Sequence, residues 1–494
     1  MDSPVSIPFK SFIQLKPEEP TALYLQIVFE FIKAIQTGWL PEGTKLPGTR
    51  ILCKLLLVNR NTLIKAFDDL ESQGFIEIKA NKGTFILSGQ KQKNRPKSTA
   101  KERKDDTGFT FKRSSILESP LEVSSLPYQF NDGLPDLRLI HTDVLARLYV
   151  AKLKRQKNTN AWSKLQTQSR LDFKVQFSNF LNLTRGIRIA ESNLLTTGSH
   201  EISLYLVTKL LISPGDRVVV AAPSYYLSNM TLSDSGAEII SIPVDENGID
   251  TEKLQMVCEK NPIRMLYLTS NFHYPTTIAL SAKRRIALLE LADRYGFVIL
   301  EDDYEFDFHY DNNPVLPLAA FDTHERVVYI GSFARSLPSG FGYGFVAAPA
   351  AFISELEKHQ RILEPGIDVV KEQVLTEWIK EGEVHRLSKK NKKIYRERRD
   401  YFIGLLNEKL KGRIKFLVPA RGLAVWVEWM DHFSLIKLKD ACAAKGLFLP
   451  QTILYQSKNL RATRLGFGHL ERDEMEKAVE ILRLGLGELL GSPN

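Results

Sequence analysis

The amino-acid sequence predicts a multidomain α/β chain: a small winged helix-turn-helix head, then a large α/β body. Three observations carry this. Residues 22–87 show helix-period apolar spacing and then an alternating pair of short runs around a polar turn. A polar, basic stretch follows from Gly89 to about Asp106. From about Leu126, short β-branched runs alternate with amphipathic helical stretches, the pattern of a largely parallel sheet.

The totals set bounds. A chain of 494 residues corresponds to about three domains at ~150 residues each, and 43% hydrophobic residues is ordinary for a soluble globular protein. No apolar run approaches the ~18 residues that span a bilayer, and the start "MDSPVSIPFK" lacks a signal-peptide core. Cys53, Cys258 and Cys442 are scattered, which gives neither a disulfide framework nor a metal cluster. The expectation is a reducing cytoplasm. A net charge of +9 is compatible with nucleic-acid binding, so the placement of the charge decides.

In the head, "ALYLQIVFEFIKAIQTGWL" predicts a helix from about Ala22 to Thr37. "PEGTKLPGTR" is a turn-rich break, and a short helix "RILCKLLL" starts at Pro47 to Thr49. A third helix begins in "VNRNTLIKAFDDLESQG", with Asn59 as N-cap and Gly74 as stop. "FIEIKANKGTFILS" reads as a hairpin. Arg60, Asn61, Thr62 and Lys65 lie at the start of the third helix, the end that enters a major groove. Arg50 is placed to hold a phosphate, Lys79 and Lys82 flank the wing turn, and Gly83 allows close backbone approach. From Thr21 to Leu87 the segment resembles the DNA-binding domain of the GntR regulators. It departs at Leu56–Leu57, where that family has a small or polar residue and then glycine. The resulting division is a head at 1–88, a flexible basic linker at 89–125 and a body at 126–494, with a smaller α+β subdomain from about 380. The linker's charges add non-specific phosphate attraction or serve only as a solubilising tether.

In the body, "DRVVVAAP", "AEIISIPV", "RMLYLTS", "FVILEDD", "VVYIGSF" and "GFVAAP" are the strands, and "SAKRRIALLELADRYG" is one of the helices between them. Ligands of such sheets bind beyond the carboxyl ends of the strands. The residues there are Gly198, Ser199 and His200 at a helix start, Tyr225 or Tyr226, Asn271 and His273 beside Pro275, Asp302 and Tyr304, and Ser332 and Arg335. A helix start offers backbone N–H groups to an anion.

That order of motifs resembles the fold-type I aminotransferases, and with the head it resembles the MocR class of transcription regulators. "NDGLPDLRL", "FLNLTRGIRI", "LLISPGDRVVVAAPSYY" and "LEDDYEFDFHYD" carry the resemblance. It implies pyridoxal phosphate in the cleft. It places Asp302 on the pyridine nitrogen, Tyr304 at the phenolic oxygen and Tyr225 stacked on the ring, with Ser199 and His273 in the same site. Arg464 falls at the carboxylate-binding position of a ligand or effector, with Arg461 as the second candidate. The resemblance also implies a homodimer on a double-stranded DNA operator.

The departures are concentrated at the cofactor. Arg335 in "GSFAR" stands where the Schiff-base lysine belongs, and Gly342 where an arginine supports the phosphate. His273 replaces a glutamine, Lys164 a tyrosine and Ser169 a glycine. A Schiff base needs an amine that loses its proton, and guanidinium stays charged below about pH 12. The expectation is a regulator whose body dimerises and takes an effector without covalent cofactor chemistry. The alternatives are an aminotransferase with an added head and a regulator that binds pyridoxal phosphate non-covalently. Arg335 is expected beside Asp302, replacing the cationic ring, or on the anion of another ligand.

Overall fold

The computed structural model describes residues 13, 15, 22–36, 40–79, 82–87, 109–110, 114–117, 124–140, 142–155, 162–310, 315–333, 337, 341–366, 368–450, 454–456 and 460–491. For 115, 155 and 162–166 only the backbone is described. Most of the expected linker, the wing tip at 80–81 and Arg335 lie outside these residues. The chain divides into two compact units: residues 1–123 with 434–436 and 451–462, and the remainder.

The first unit is built on three helices, Leu23–Gln36, Thr49–Leu56 and Arg60–Ser72. Ile27, Val28, Phe31 and Ile32 recur at helical spacing and bury one face against Leu63, Ala66, Phe67 and Leu70. Phe31 meets Phe67 edge to face at 5.7 Å. The second helix ends on Leu57, which is left-handed at φ +55° and 85% exposed. Its N–H bonds Cys53 O. Here the resembled family has glycine, and a side chain in that conformation costs about 1–2 kcal/mol. Asn59 caps the third helix, its Oδ1 accepting from the N–H of Thr62 at 2.9 Å. Gly74, at φ +78°, turns the chain into β1 (Ile76–Lys79), which pairs antiparallel with β2 (Gly83–Ile86).

The second unit holds β3 (Tyr128–Gln129), β4 (Leu194–Thr197), β5 (Arg217–Ala222), β6 (Glu238–Asp245), β7 (Gly248–Ile249), β8 (Met265–Leu268), β9 (Val298–Asp303), β10 (Val327–Ser332) and β11 (Gly344–Ala347). Eight of them form one sheet in the order β4-β11-β10-β9-β8-β5-β6-β7. The central pairs, from β10 through β9, β8 and β5 to β6, are parallel. All six strands expected from the sequence are present. The β4 strand, missing from that set, pairs antiparallel with β11. One face packs on the helices His200–Leu211 and Ala350–Leu363 through Leu204, Val207, Ile353 and Leu356. The other buries Leu266, Ile299 and Leu288. After the long helix Glu383–Lys409, β12 (Ile414–Phe416), β13 (Ala424–Trp429) and β15 (Ala462–Gly466) make a second sheet, and β14 (Leu447–Phe448) pairs with β3. Among the described residues no helix is long and apolar enough to cross a membrane.

Candidate functional site

The head presents most of its expected contact residues to solvent. Arg50 is exposed at the start of the Thr49–Leu56 helix, and Arg60 and Asn61 are exposed in the first turn after the Asn59 cap. Thr62 is only half-buried, but its hydroxyl donates to Asn59 Oδ1 at 2.8 Å and so belongs to the cap. The Lys65 ammonium lies 4.0 Å from the centre of the Tyr24 ring. Lys79 pairs with Glu77 at 3.0 Å, and the N–H of exposed Lys82 bonds Lys79 O across the wing turn. Gly83 sits at φ +111°, where an added Cβ would be 3.0 Å from Lys45 Cε.

In the body, β9 carries three consecutive carboxylates. Successive strand residues point to opposite faces. Glu301 therefore accepts from the N–H groups of Leu318 (2.7 Å) and Ala319 (2.9 Å) and from the Ser270 hydroxyl. Asp303 accepts from the Tyr329 hydroxyl at 2.7 Å and from Asn271 Nδ2 at 3.2 Å. Asp302 faces the other way, toward the start of the His200–Leu211 helix. Burial pushes the Glu301 carboxyl up to about 7, against its hydrogen bonds.

Asp302 is 2% exposed, and its Oδ2 is taken twice, by the Tyr267 hydroxyl at 2.7 Å and by His200 Nε2 at 3.0 Å. Its Oδ1 has no hydrogen-bond partner among the described residues. Burial opposes a charged His200, but the Asp302 carboxylate outweighs it and raises the imidazole above its ordinary value. The histidine expected only as part of a helix start is thus the partner of the acid. The expected Arg335–Asp302 pair falls outside the described residues.

Ser199 is the N-cap of this helix: its hydroxyl oxygen accepts from the N–H of Ile202 at 3.3 Å. The adjacent Gly198 N–H donates to Glu364 Oε1 at 2.7 Å. Ser169 accepts from Gln373 Nε2 at 2.9 Å, and the carbonyl of Gly342 accepts from Lys371 Nζ at 2.7 Å. The Lys164 side chain is outside the described set.

The third group surrounds Arg464, which is 1% exposed. Its Nε lies 2.9 Å from Asp132 Oδ1, a second nitrogen 3.5 Å from Glu305 Oε2, and a third donates to Pro275 O at 3.2 Å. The guanidinium lies 4.9 Å from the Tyr274 ring and 5.3 Å from Phe272. Burial works against its charge, yet Tyr304, Asp132 and Glu305 hold it firmly protonated. Tyr225 packs edge-on to Tyr274 at 4.7 Å, and Tyr304 lies 6.1 Å from the same ring. His273 is buried, its Nδ1 2.8 Å from Thr276 Oγ1, and burial with the nearby Arg464 charge drops it to about 3. It is a neutral imidazole. Arg461 is half-buried, and burial lowers its guanidinium from the ordinary value.

Asp302, Tyr304, Tyr225, His273 and Arg464 thus belong to one neighbourhood tied through Tyr267 and Tyr274, with Ser199 beside it through His200. As arranged, these residues do not fit pyridoxal phosphate. The N–H for the phosphate is taken by Glu364 and the arginine for a ligand carboxylate by Asp132 and Glu305, while the acid for the ring nitrogen has Oδ2 on His200 and Tyr267 and Oδ1 without a hydrogen-bond partner among the described residues.

A family model for aminotransferase class I and II matches residues 142–482, and a model for bacterial regulatory proteins of the gntR family matches residues 23–86. The chain belongs to the aminotransferase class I and II family. With its gntR head it is of the MocR class. Among curated relatives, the "Uncharacterized HTH-type transcriptional regulator YdfD" of Bacillus subtilis is 25% identical over 485 residues, covering 97% of this chain and 99% of that one. The "Probable rhizopine catabolism regulatory protein MocR" of Rhizobium meliloti is 22% identical, covering 92% of each. Among solved structures, the kynurenine aminotransferase of Pyrococcus horikoshii superposes with a TM-score of 0.66 at 23% identity, covering 74% of this chain and 91% of that one. At that identity the likeness shows the aminotransferase-class fold of the body.

Proposed function

We propose that this MocR-class chain is a DNA-binding transcription regulator whose aminotransferase-class body no longer performs covalent pyridoxal phosphate chemistry. The observation that carries the reading is the division of roles between the two units. In the head, Arg50, Arg60 and Asn61 stand exposed beside a capped helix start, the geometry for reading a major groove. In the body, Arg335 stands where the resembled pattern has its lysine, and the Gly198 N–H and Asp302 Oδ2 are taken by Glu364 and His200. Relatives named as regulators span nearly the whole chain, which supports the same reading. The body then serves as a dimerisation module and a pocket for a small effector, in the cytoplasm. A dimer places two heads on paired half-sites of an operator.

One experiment on the full chain tests both halves. Genomic fragments compete with random duplex DNA at physiological salt, and the same preparation is mixed with pyridoxal phosphate and reduced with borohydride. A selected fragment bound well above random DNA, with no reduced adduct in the cleft, is the expected result. No preference among fragments removes the regulator reading. An adduct mapped to the cleft restores the enzyme reading.

A further inference from the structure

We propose that Glu364 is a built-in anion that fills the phosphate seat at the start of the His200–Leu211 helix, so that the cleft excludes phosphate monoesters until Glu364 leaves. This rests on the geometry of the cleft and is independent of the DNA-binding reading.

The seat is a helix N-terminus whose N–H groups and dipole favour an anion. Its Gly198 N–H points at Glu364 Oε1, 2.7 Å away. The approach is so close that a Cβ on Gly198 would come 2.3 Å from that oxygen. The second carboxylate oxygen is also held: Gln360 Nε2 donates to Glu364 Oε2 at 3.0 Å. Gln360 is itself buried and fixed, donating to Thr196 O at 2.6 Å and accepting from Arg170 at 2.9 Å. The backbone is anchored too, since the N–H of Glu364 donates to Gln360 O at 2.7 Å and closes the Ala350–Leu363 helix. Both oxygens and the main chain of one residue are therefore placed by separate contacts, which is unlike a solvent-directed glutamate.

The surroundings match an anion held in place. Lys371, on the Val369–Lys380 helix, donates to the carbonyl of Gly342, the position where the resembled pattern has its phosphate-supporting arginine. Burial lowers the Lys371 ammonium, while Asp368, Glu364 and Glu372 oppose that, which puts the ammonium within the field of the plug. At the far side of Ser199, His200 occupies Asp302 in place of a cationic ring. The residues on either side of one N-cap serine thus supply internal partners for two opposite charges. A phosphate entering the seat meets a carboxylate already on the same N–H, and two anions do not share it. Only ejection of Glu364 opens the seat, and because Glu364 leads directly from one helix toward the next, ejection moves the connection between them.

The test uses deoxypyridoxine phosphate, which carries the ring and the phosphate but no aldehyde to label surface lysines, and deoxypyridoxine as its phosphate-free counterpart. Binding to the full chain is measured by calorimetry for the wild type, Glu364→Ala and Glu364→Gln. The wild type should bind the phosphorylated ring no better than the free one. Glu364→Ala should bind the phosphorylated ring about tenfold or more tightly than wild type, with the free ring unchanged, and Glu364→Gln should fall between. Urea unfolding of each variant reports that the body is folded, and if Glu364→Ala aggregates, Glu364→Gln alone decides by the same comparison. A wild type that already prefers the phosphorylated ring, or variants with no gain for it, overturns the proposal.

Discussion

The head and the body treat their polar side chains in opposite ways. In the head, Arg50, Arg60 and Asn61 are exposed, and the structural hydrogen bonds are made by neighbours such as Asn59 and Thr62. In the body, Asp302 and Arg464 are buried and answered from within, Asp302 by His200 and Tyr267 and Arg464 by Asp132 and Glu305, and the exposed Gly198 N–H is answered by Glu364. A surface meant for a large polyanion must leave its cations in water, where they can exchange counterions for phosphates. A closed cleft cannot leave charges unanswered, because an unpaired buried charge costs several kcal/mol. The same loss of a ligand would thus be harmless in the head and must be compensated in the body.

The contrast breaks first, and with the largest expected effect, at Arg464. Arg464→Met removes the buried guanidinium that lies between Asp132 and the buried Glu305. Stability measured by urea unfolding should fall by about 3–5 kcal/mol, while operator affinity of the folded protein stays within about twofold. A loss below about 1 kcal/mol would mean that the cluster is not a structural unit.

The next effect is a pH dependence confined to the body. The folded value of His273, about 3, lies below the ordinary 6.5 of the unfolded chain. The unfolded state therefore takes up the proton first. Stability from this residue is complete above about pH 6.5 and declines as the pH falls toward 3. At about pH 4.5 the loss is about 2–3 kcal/mol. His200 acts in the opposite sense: its raised value gives stability that is full below about 6.5 and is lost as the pH rises through the folded value. Unfolding of wild type and His273→Gln across this range should show the variant gaining on the wild type as the solution is acidified. Parallel curves would defeat the assignment.

The smallest effect sharpens the comparison from the head. Arg60→Ala should cost about 1–3 kcal/mol of specific DNA affinity if it reads a base, while unfolding stability moves by no more than about 0.5 kcal/mol. An exposed arginine can be removed without stranding a partner. If stability fell as far as affinity, Arg60 would belong to the fold and not to the interface.

Most of the architecture was legible in the sequence because it depends on local patterns. Alternation, turn residues and capping signals located the three head helices, the hairpin and six strands of the large sheet. The strand Leu194–Thr197 was missed as such: four consecutive buried residues show no alternation to separate strand from helix. The position of Leu57 was flagged by its departure from glycine, and the left-handed turn there is the physical counterpart. The site was legible by position and not by partner. Asp302, Tyr304 and Arg464 were found from motif order, but their counterions come from distant segments. Asp132 stands in a motif quoted only for resemblance, Tyr267 is hidden inside an ordinary strand run, and Glu364 follows a helix end with no periodic signal. His200 was noticed as part of a helix start, and its role depends on a strand 102 residues away. No local pattern encodes such pairings.

The three acids of β9 have a consequence for how the sheet assembles. Glu301 and Asp303 project to one face and Asp302 to the other, each into a differently built set of donors. Sliding β9 by one residue between β8 and β10 would exchange the faces, placing two carboxylates against the single His200–Tyr267 pair and one against the Ser270, Leu318 and Tyr329 donors. Apolar strands tolerate ambiguity in how they dock, since one buried valine resembles another. This strand is keyed like a lock cylinder: its charges admit one alignment of the central sheet, and the ordering of every neighbouring strand follows from it.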